Sequence, residues 1–370
     1  MLLWLSGRLK IYRILYIRRS EKPYLGRGKA RLKIIVDAFG GDNAPLEILK
    51  GCADAVRGLD LDIMLTGTEQ VIRRVAAENN ISLARMEIVD TPSVITMQDS
   101  AGEIMKSKSD SSMAEGLRRL AAGEGDAFVS GGNSGALVVG GALIVRHIKG
   151  IRRVAFAPVL PSNKGCSMLI DCGANVDCTP EMLQQFGIMG SIYMEKVMGV
   201  KSPRVALANI GTEDHKGGEL QHKAFVLLQD SGINFVGNIE ARDIPDDAGD
   251  VIVADGFTGN IILKMYEGVA QMLMGRVKQI FMQGPLNKLA AAIVLKDVKQ
   301  LKSDFDYNEY GGAPLLGCLK PVFKTHGSAK ARTLYNAIRL TKNYVEGHVA
   351  EEIAVSAAKY RKARNLTVEE

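Results

Sequence analysis

The sequence predicts an α/β fold: a three-layer α/β/α sandwich around a mostly parallel sheet. Three observations predict it. From Leu32 onward, short apolar runs alternate with longer amphipathic stretches. The 370 residues are 46% hydrophobic and 24% charged, the balance of a large globular domain and not of a disordered chain. Several of the apolar runs end in small, polar, glycine-rich turns, which is where parallel sheets hold their ligands.

Each element follows from its residues. Lys33–Asp37 (KIIVD) is an apolar run of the kind buried on both faces of a sheet. Pro45 suits a helix start, and that helix runs to Arg57. Asp62–Leu65 is a strand, Glu69–Asn79 a helix and Met86–Val89 a strand. The helix Ser111–Ala122 has Ser111 or Ser112 as N-cap, with Glu115 placed to close a capping box with Ser112. Ala127–Ser130 is a strand and Gly135–His147 a helix. Val154–Val159 and Met168–Asp171 are strands with a turn between them. A long helix, Pro180–Met198, precedes the strand Arg204–Asn209 and the helix Gly218–Gln229. Asn234–Val236 and Val251–Ala254 are strands, Ile261–Met282 is a long helix, and the chain from Ser328 is mostly helical.

Charge and cysteine content exclude several function classes. The net charge is +6, but the stretch to Lys33 holds ten basic residues and one acid, Glu21. The remainder carries 37 basic against 40 acidic residues, so the body is slightly acidic and nucleic-acid binding has little support. Residues 1–32 are read as a basic extension ahead of a catalytic domain, 33–370, whose natural start lies near Leu32. The five cysteines form no CxxC pair and the five histidines no metal-ligand spacing, so a reduced protein without a metal or other cofactor is expected. No uninterrupted apolar run is long enough to span a membrane.

Five turns concentrate the candidate chemistry: 37–43 (DAFGGDN), 130–136 (SGGNSGA), 171–175 (DCGAN), 209–217 (NIGTEDHKG) and 255–260 (DGFTGN). Glycine lets the backbone approach a ligand, and a following helix N-terminus favours an anion. The second and fifth turns fit best, with Asn133 and Ser134, and with Thr258 and Asn260, at the helix starts. One such turn is ordinary N-cap chemistry; five in a chain point to an anionic ligand. None is a Walker A loop, a GxGxxG fingerprint or a GxSxG elbow. Lys216 is the one cation within them, suited to phosphate or an oxyanion. The acids Asp37, Asp42, Asp171, Glu213, Asp214 and Asp255 are read as turn caps and orienting groups in preference to magnesium ligands. Farther on, residues 284–305 place an apolar patch, Leu289 to Leu295, among Lys288, Lys296, Lys299 and Lys302. That pattern suits a membrane surface or an acidic partner, and equally a hairpin packed in a dimer.

These stretches together resemble the acyl-ACP:phosphate acyltransferase family of bacterial phospholipid synthesis. The likeness runs from about Lys33 to about Ala350, through VDAFGGDNAP, SSMAEGLRRL, VSGGNSGAL, RHIKGIRR, IDCGANVDCTPEML, NIGTEDHKGGEL, FVGNIEARD, VADGFTGNIILK, YGGAPLLG and KTHGSAKA in that order. The chain departs from the family between Gly102 and Asp110, where family members are more basic, and at Phe39, where Met is usual. The resemblance implies a fold like that of phosphotransacetylases and isocitrate-type dehydrogenases, with a protruding helical hairpin at 284–305. It implies a homodimer, cytoplasmic and peripherally associated with the membrane. The implied reaction converts fatty acyl-ACP and inorganic phosphate to acyl phosphate and free acyl carrier protein, feeding a membrane glycerol-3-phosphate acyltransferase.

Carried onto this sequence, the family's catalytic pair falls on Lys216 and Asn260. The substrate-binding set is Asp37, Gly41, Asp42, Gly132, Asn133, Ser134, Gly135, Asn175, Thr212, Asp214, Asp255 and Thr258. Lys264, Arg276 and Lys278 are the expected carrier-protein docking residues, and Leu289, Ile293, Val294 and Leu295 the expected membrane contacts. The rival readings are a phosphotransacetylase using acyl-CoA, a dehydrogenase of the same fold, and a non-enzymatic scaffold on the membrane surface.

Overall fold

The computed structural model describes residues 31–294 and 311–366, and the unit treated below begins at Leu32. The expected extension, 1–32, falls almost wholly outside the described residues, as does the second arm of the expected hairpin, 295–305.

In chain order the strands are β1 Lys33–Asp37, β2 Asp62–Thr66, β3 Met86–Val89, β4 Ala127–Ser130, β5 Ala155–Phe156, β6 Val159–Ser162, β7 Gly165–Ile170, β8 Val205–Asn209, β9 Phe235–Glu240, β10 Val251–Val253, β11 Ala313–Leu316 and β12 Val322–Lys324. The helices are α1 Leu46–Leu59, α2 Glu69–Glu78, α3 Ser112–Ala122, α4 Ser134–Gly140, α5 Pro180–Lys196, α6 Glu219–Gln229, α7 Gly256–Met282, α8 Pro285–Ile293, α9 Ala331–Glu346 and α10 Val349–Leu366.

The apolar run of β1 sets the layering. Its residues alternate between faces. Ile34 and Val36 join a core with Leu49 of α1 and Ile338 of α9, while Ile35 joins a second core with Met113 and Leu117 of α3. β7 repeats the pattern, sending Met168 and Ile170 to the first core with Phe186 of α5, and Leu169 to the second. Helices therefore cover both faces of mostly parallel strands, as the sequence leads one to expect.

The strands divide between two sheets. One has the order β3-β2-β1-β4-β12-β11-β5, the other β6-β7-β10-β8-β9. β5, β6 and β11 run antiparallel to a neighbour; the remaining pairings are parallel. β11 and β12 are strands that the sequence reading did not assign. The five glycine-rich turns follow β1, β4, β7, β8 and β10, all at the carboxyl ends of parallel strands.

Two local expectations need correction. The N-cap of α3 is Ser111, whose Oγ accepts from the Ala114 N–H at 3.3 Å. Glu115 closes no box with Ser112; its carboxylate pairs with Arg118 at 2.8 Å and Arg119 at 2.7 Å. The helix expected over Gly135–His147 starts at Ser134, passes into a π-helical turn at Gly141–Val145 and ends at Arg146, whose φ is +70°. No described helix is long and apolar enough to cross a membrane.

Candidate functional site

The turns fall into two groups, one at the end of each sheet. In the first, Asp37 is buried, and its carboxylate accepts from Ser130 Oγ at 2.7 Å and from the Phe39 N–H at 3.2 Å. Burial raises its pKa above the usual carboxylate range, and these bonds oppose the rise. Ser130 Oγ accepts in turn from the Gly132 N–H at 3.0 Å. Asn133 is the N-cap of α4: its Oδ1 accepts from the Ala136 N–H at 3.0 Å, and its Nδ2 donates to the carbonyls of Thr96 at 3.1 Å and Asp99 at 3.0 Å. Gly41 has φ +109°, and the Asp42 N–H donates to the Gly327 carbonyl at 2.7 Å.

The second group is built around Asp171. Its fully buried carboxylate accepts from the N–H groups of Phe156 at 2.9 Å and Asn175 at 2.7 Å, and from Asn175 Nδ2 at 2.9 Å. Burial raises its pKa as well. α7 enters directly above this turn. A Cβ on Gly259 would lie 2.0 Å from the Asp171 carbonyl oxygen, and one on Gly256 2.4 Å from that of Asn175. Asp255 caps the helix by accepting from the Thr258 N–H at 2.9 Å and Thr258 Oγ1 at 2.8 Å. The fourth turn is pinned by Asn209, whose Nδ2 donates to the Lys216 carbonyl at 3.0 Å. Lys216 is part-exposed, with Nζ 3.9 Å from Glu213 Oε1. Thr212 and Asp214 on the same turn are exposed.

Between the groups lies a cavity of about 290 Å³. Ser134 and Gly135 reach it from the first group, Cys172, Gly173 and Asn260 from the second. Phe156, Pro158, Val159, Leu160 and Leu263 make its apolar wall. Lys264, Glu267, Lys324 and His326 supply its titratable groups. A neighbouring cavity of about 330 Å³ is lined by Asn209, Gly217, Gln221, Thr258 and Ile262.

Of the expected site residues, Ser134, Gly135, Asn260 and Lys264 therefore share one cavity. Asp37, Gly132, Asn133, Asn175 and Asp255 make hydrogen bonds within their turns and are not among the lining residues of this cavity. Thr258 lines the neighbouring cavity, and Lys216, Thr212 and Asp214 lie on the fourth turn, outside the lining of the first. Arg276 and Lys278 are exposed on α7, and Lys264 pairs with Glu267 at 2.8 Å. Ile293 is 78% exposed at the end of α8 and Val294 follows it, half-buried. Leu295 and the side chain of Leu289 lie outside what is described.

Lys324 and His326 lie in the segment KTHGSAKA, which carries the resemblance but is not among the expected site residues. Lys324 Nζ donates to the Gly131 carbonyl at 3.2 Å and to the Thr325 carbonyl. Desolvation, helped by the charge of Lys264, lowers its pKa to about 8, against the pull of Asp42 and Asp37. His326 Nδ1 accepts from the Ser328 N–H at 3.2 Å, so the neutral ring carries its proton on Nε2. Burial lowers the His326 pKa and favours that neutral form. A signal existed: VFKTHG is one more apolar run ending in a polar, glycine-containing turn. Its three-residue strand is too short to stand out by period.

Residues 32–352 match the family described as fatty acid synthesis protein. A phosphate acyltransferase of Alkaliphilus oremlandii is 43% identical over 323 residues, 87% of this chain and 96% of that protein. Another, of Oceanobacillus iheyensis, is 45% identical over 327 residues, 88% of this chain and 97% of its own length. Among solved structures, a phosphotransacetylase from Streptococcus pyogenes superposes with a TM-score of 0.59 at 17% identity, covering 85% of this chain and 94% of that one. The EutD phosphotransacetylase from Staphylococcus aureus gives 0.58 at 16% identity, over the same shares of the two chains. At such identities the superpositions speak for the fold alone.

Proposed function

Because the chain belongs to the fatty acid synthesis protein family and is an acyltransferase of lipid biosynthesis that uses phosphate, we propose that its acyl donor is a fatty acyl thioester of acyl carrier protein. The products are then acyl phosphate and the free carrier thiol. The observation that carries this reading is the cavity, which joins an apolar wall, fit for an acyl chain, to a floor of lysine, amide and helix-start N–H groups, fit for phosphate.

In the proposed reaction a phosphate oxygen attacks the thioester carbonyl carbon, the carbonyl oxygen takes up negative charge, and the C–S bond then breaks. A thiol of pKa about 8.5 leaves as thiolate without needing a strong acid. Phosphate is already anionic, so no protein nucleophile is required. Cys172 lines the cavity, yet burial and the charges of Asp171 and Glu267 push its pKa well up, which keeps it an unreactive thiol. Catalysis is left to positioning and charge. Asn260 donates a hydrogen bond to the oxyanion, and Lys216 supplies positive charge from the fourth turn. Ser134 and Gly135 offer backbone N–H groups at the start of α4.

We propose further a cytoplasmic homodimer working at the membrane surface, handing its product to a membrane glycerol-3-phosphate acyltransferase. Support comes from α7, which exposes Met265, Met272, Leu273 and Ile280 along 27 residues, about 40 Å of helix. Lys264, Arg276 and Lys278 on that helix are proposed to receive the acidic carrier protein, and Ile293 and Val294, with Leu289 and Leu295, to meet lipid.

The test is release of free carrier thiol from palmitoyl-ACP. Phosphate-dependent release from the carrier thioester, absent with palmitoyl-CoA, is expected; release from the CoA thioester would transfer the assignment to a CoA-dependent enzyme. Lys216→Ala and Asn260→Ala are expected to lose at least about a hundredfold in kcat while keeping the native circular dichroism. Near-normal turnover in either would remove that residue from the mechanism.

A further inference from the structure

We propose that Lys324 is the phosphate-holding cation of the cavity and sets the affinity for inorganic phosphate. The inference rests on the acyl-transfer reading above and adds a residue to it.

Two lysines line the cavity, and they are not equivalent. The Lys264 ammonium is paired with Glu267 at 2.8 Å, and its side chain is 57% exposed. Lys324 has no carboxylate within ion-pair distance among the described residues. Its Nζ is held by two neutral carbonyls, those of Gly131 and Thr325. An ammonium has three N–H donors, so one remains for an acceptor in the cavity. The Gly131 carbonyl belongs to the turn whose next residues, Ser134 and Gly135, open α4 onto the same cavity. Phosphate seated there receives an ammonium N–H of Lys324, with Ser134 and Gly135 lining the cavity beside it.

The charges around Lys324 are Asp37 and Asp42 at the end of β1, Lys264 and Glu267 on α7, and the neutral His326 two residues on. Asp37 is engaged with Ser130 and Phe39, and Asp42 is exposed. Neither neutralises the ammonium directly. Desolvation lowers the ammonium's pKa, a cost that a bound anion offsets. Lys216 differs: its Nζ lies 3.9 Å from Glu213, and it is outside the lining of this cavity. A division of labour follows, with Lys324 holding phosphate and Lys216 serving the carbonyl side.

The test is steady-state kinetics on the full chain, varying inorganic phosphate and palmitoyl-ACP in turn, for wild type, Lys324→Gln and Lys324→Arg. Loss of a charge-assisted hydrogen bond is expected to raise the KM for phosphate at least about tenfold in Lys324→Gln. The KM for palmitoyl-ACP stays within about twofold, and Lys324→Arg recovers part of the phosphate affinity. An unchanged phosphate KM in folded Lys324→Gln overturns the inference. So does a selective rise in the KM for the carrier thioester, which would assign the lysine to the phosphodiester of the carrier's prosthetic arm. Should neither variant fold, the wild-type enzyme still decides. Its KM for phosphate must rise as pH passes upward through the ammonium's value of about 8, and a flat profile overturns the inference. An inactive wild type is a different failure: it removes the acyl-transfer reading and leaves phosphate binding by calorimetry to report on Lys324.

Discussion

At the scale of single residues, several of the polar side chains that the sequence offers as ligands also fasten the turns that carry them. Asp255 is the clearest case, with both carboxylate oxygens engaged by Thr258 at the first turn of α7. Asp255→Ala is expected to lower stability by about 1–2 kcal/mol, and Asp255→Asn, an equally good cap, to restore most of it. Urea midpoints check both, and an unchanged midpoint in the alanine variant would refute the cap. Asn133 and Asn175 are fastenings of the same kind. Sequence alone cannot separate the two roles, because a cap and an anion site draw on the same short oxygen- and nitrogen-bearing side chains at the same helix starts. Asn260 was legible because the family resemblance singled it out, and it does line the cavity. Lys324 was not, since its importance comes from Gly131, which is 193 positions away in the chain.

Among elements, α7 is the piece whose placement the site depends on. Its start passes so close to the third turn that Gly259 admits no side chain, whereas Gly268, farther along, has open space where a Cβ would be. Gly259→Ala is therefore expected to destabilise by several kcal/mol or to prevent folding. Gly268→Ala is expected to stabilise by about 0.5–1 kcal/mol through the lower helix cost of alanine. Thermal unfolding of the two variants tests the pair, and a well-folded, fully active Gly259→Ala would show that the approach is looser than described. Elements with long apolar runs are readable in order, β1, β2, β4 and α5 among them, because both their faces or one clear side are buried. β11 and β12 were missed because they are short and β11 contains Pro314. The end of α4 was misjudged because Gly140 and Gly141 pack against Leu117 and Leu315, a tertiary fit that no local period records. The division into two sheets was equally illegible, since strand partners are chosen by distant segments.

The whole molecule carries a pH signature that its composition alone does not announce. Cys52, Cys172 and Cys318 are buried, and desolvation raises each thiol above its ordinary value of 9.0; Cys178, less enclosed, is pushed up to about 12. In the unfolded chain these thiols lose their protons near the ordinary value, while the folded protein keeps them. Above that pH the unfolded state binds fewer protons, so stability falls as pH rises, by about 1.4 kcal/mol per pH unit for each buried thiol. Lys324 and Lys320 work in the opposite direction: their lowered values mean that the unfolded state binds more protons up to the ordinary 10.5, so they add stability with rising pH in that window. Three fully buried thiols against two lysines leave a net loss, which Cys178 steepens. Urea midpoints under reducing conditions are therefore expected to decline from about pH 9 to about pH 10. The double variant Cys52→Ala, Cys318→Ala removes two of the opposing thiols, so its decline should vanish or reverse. A decline as steep as that of the wild type would mean that the thiols are not what ties this fold to neutral pH.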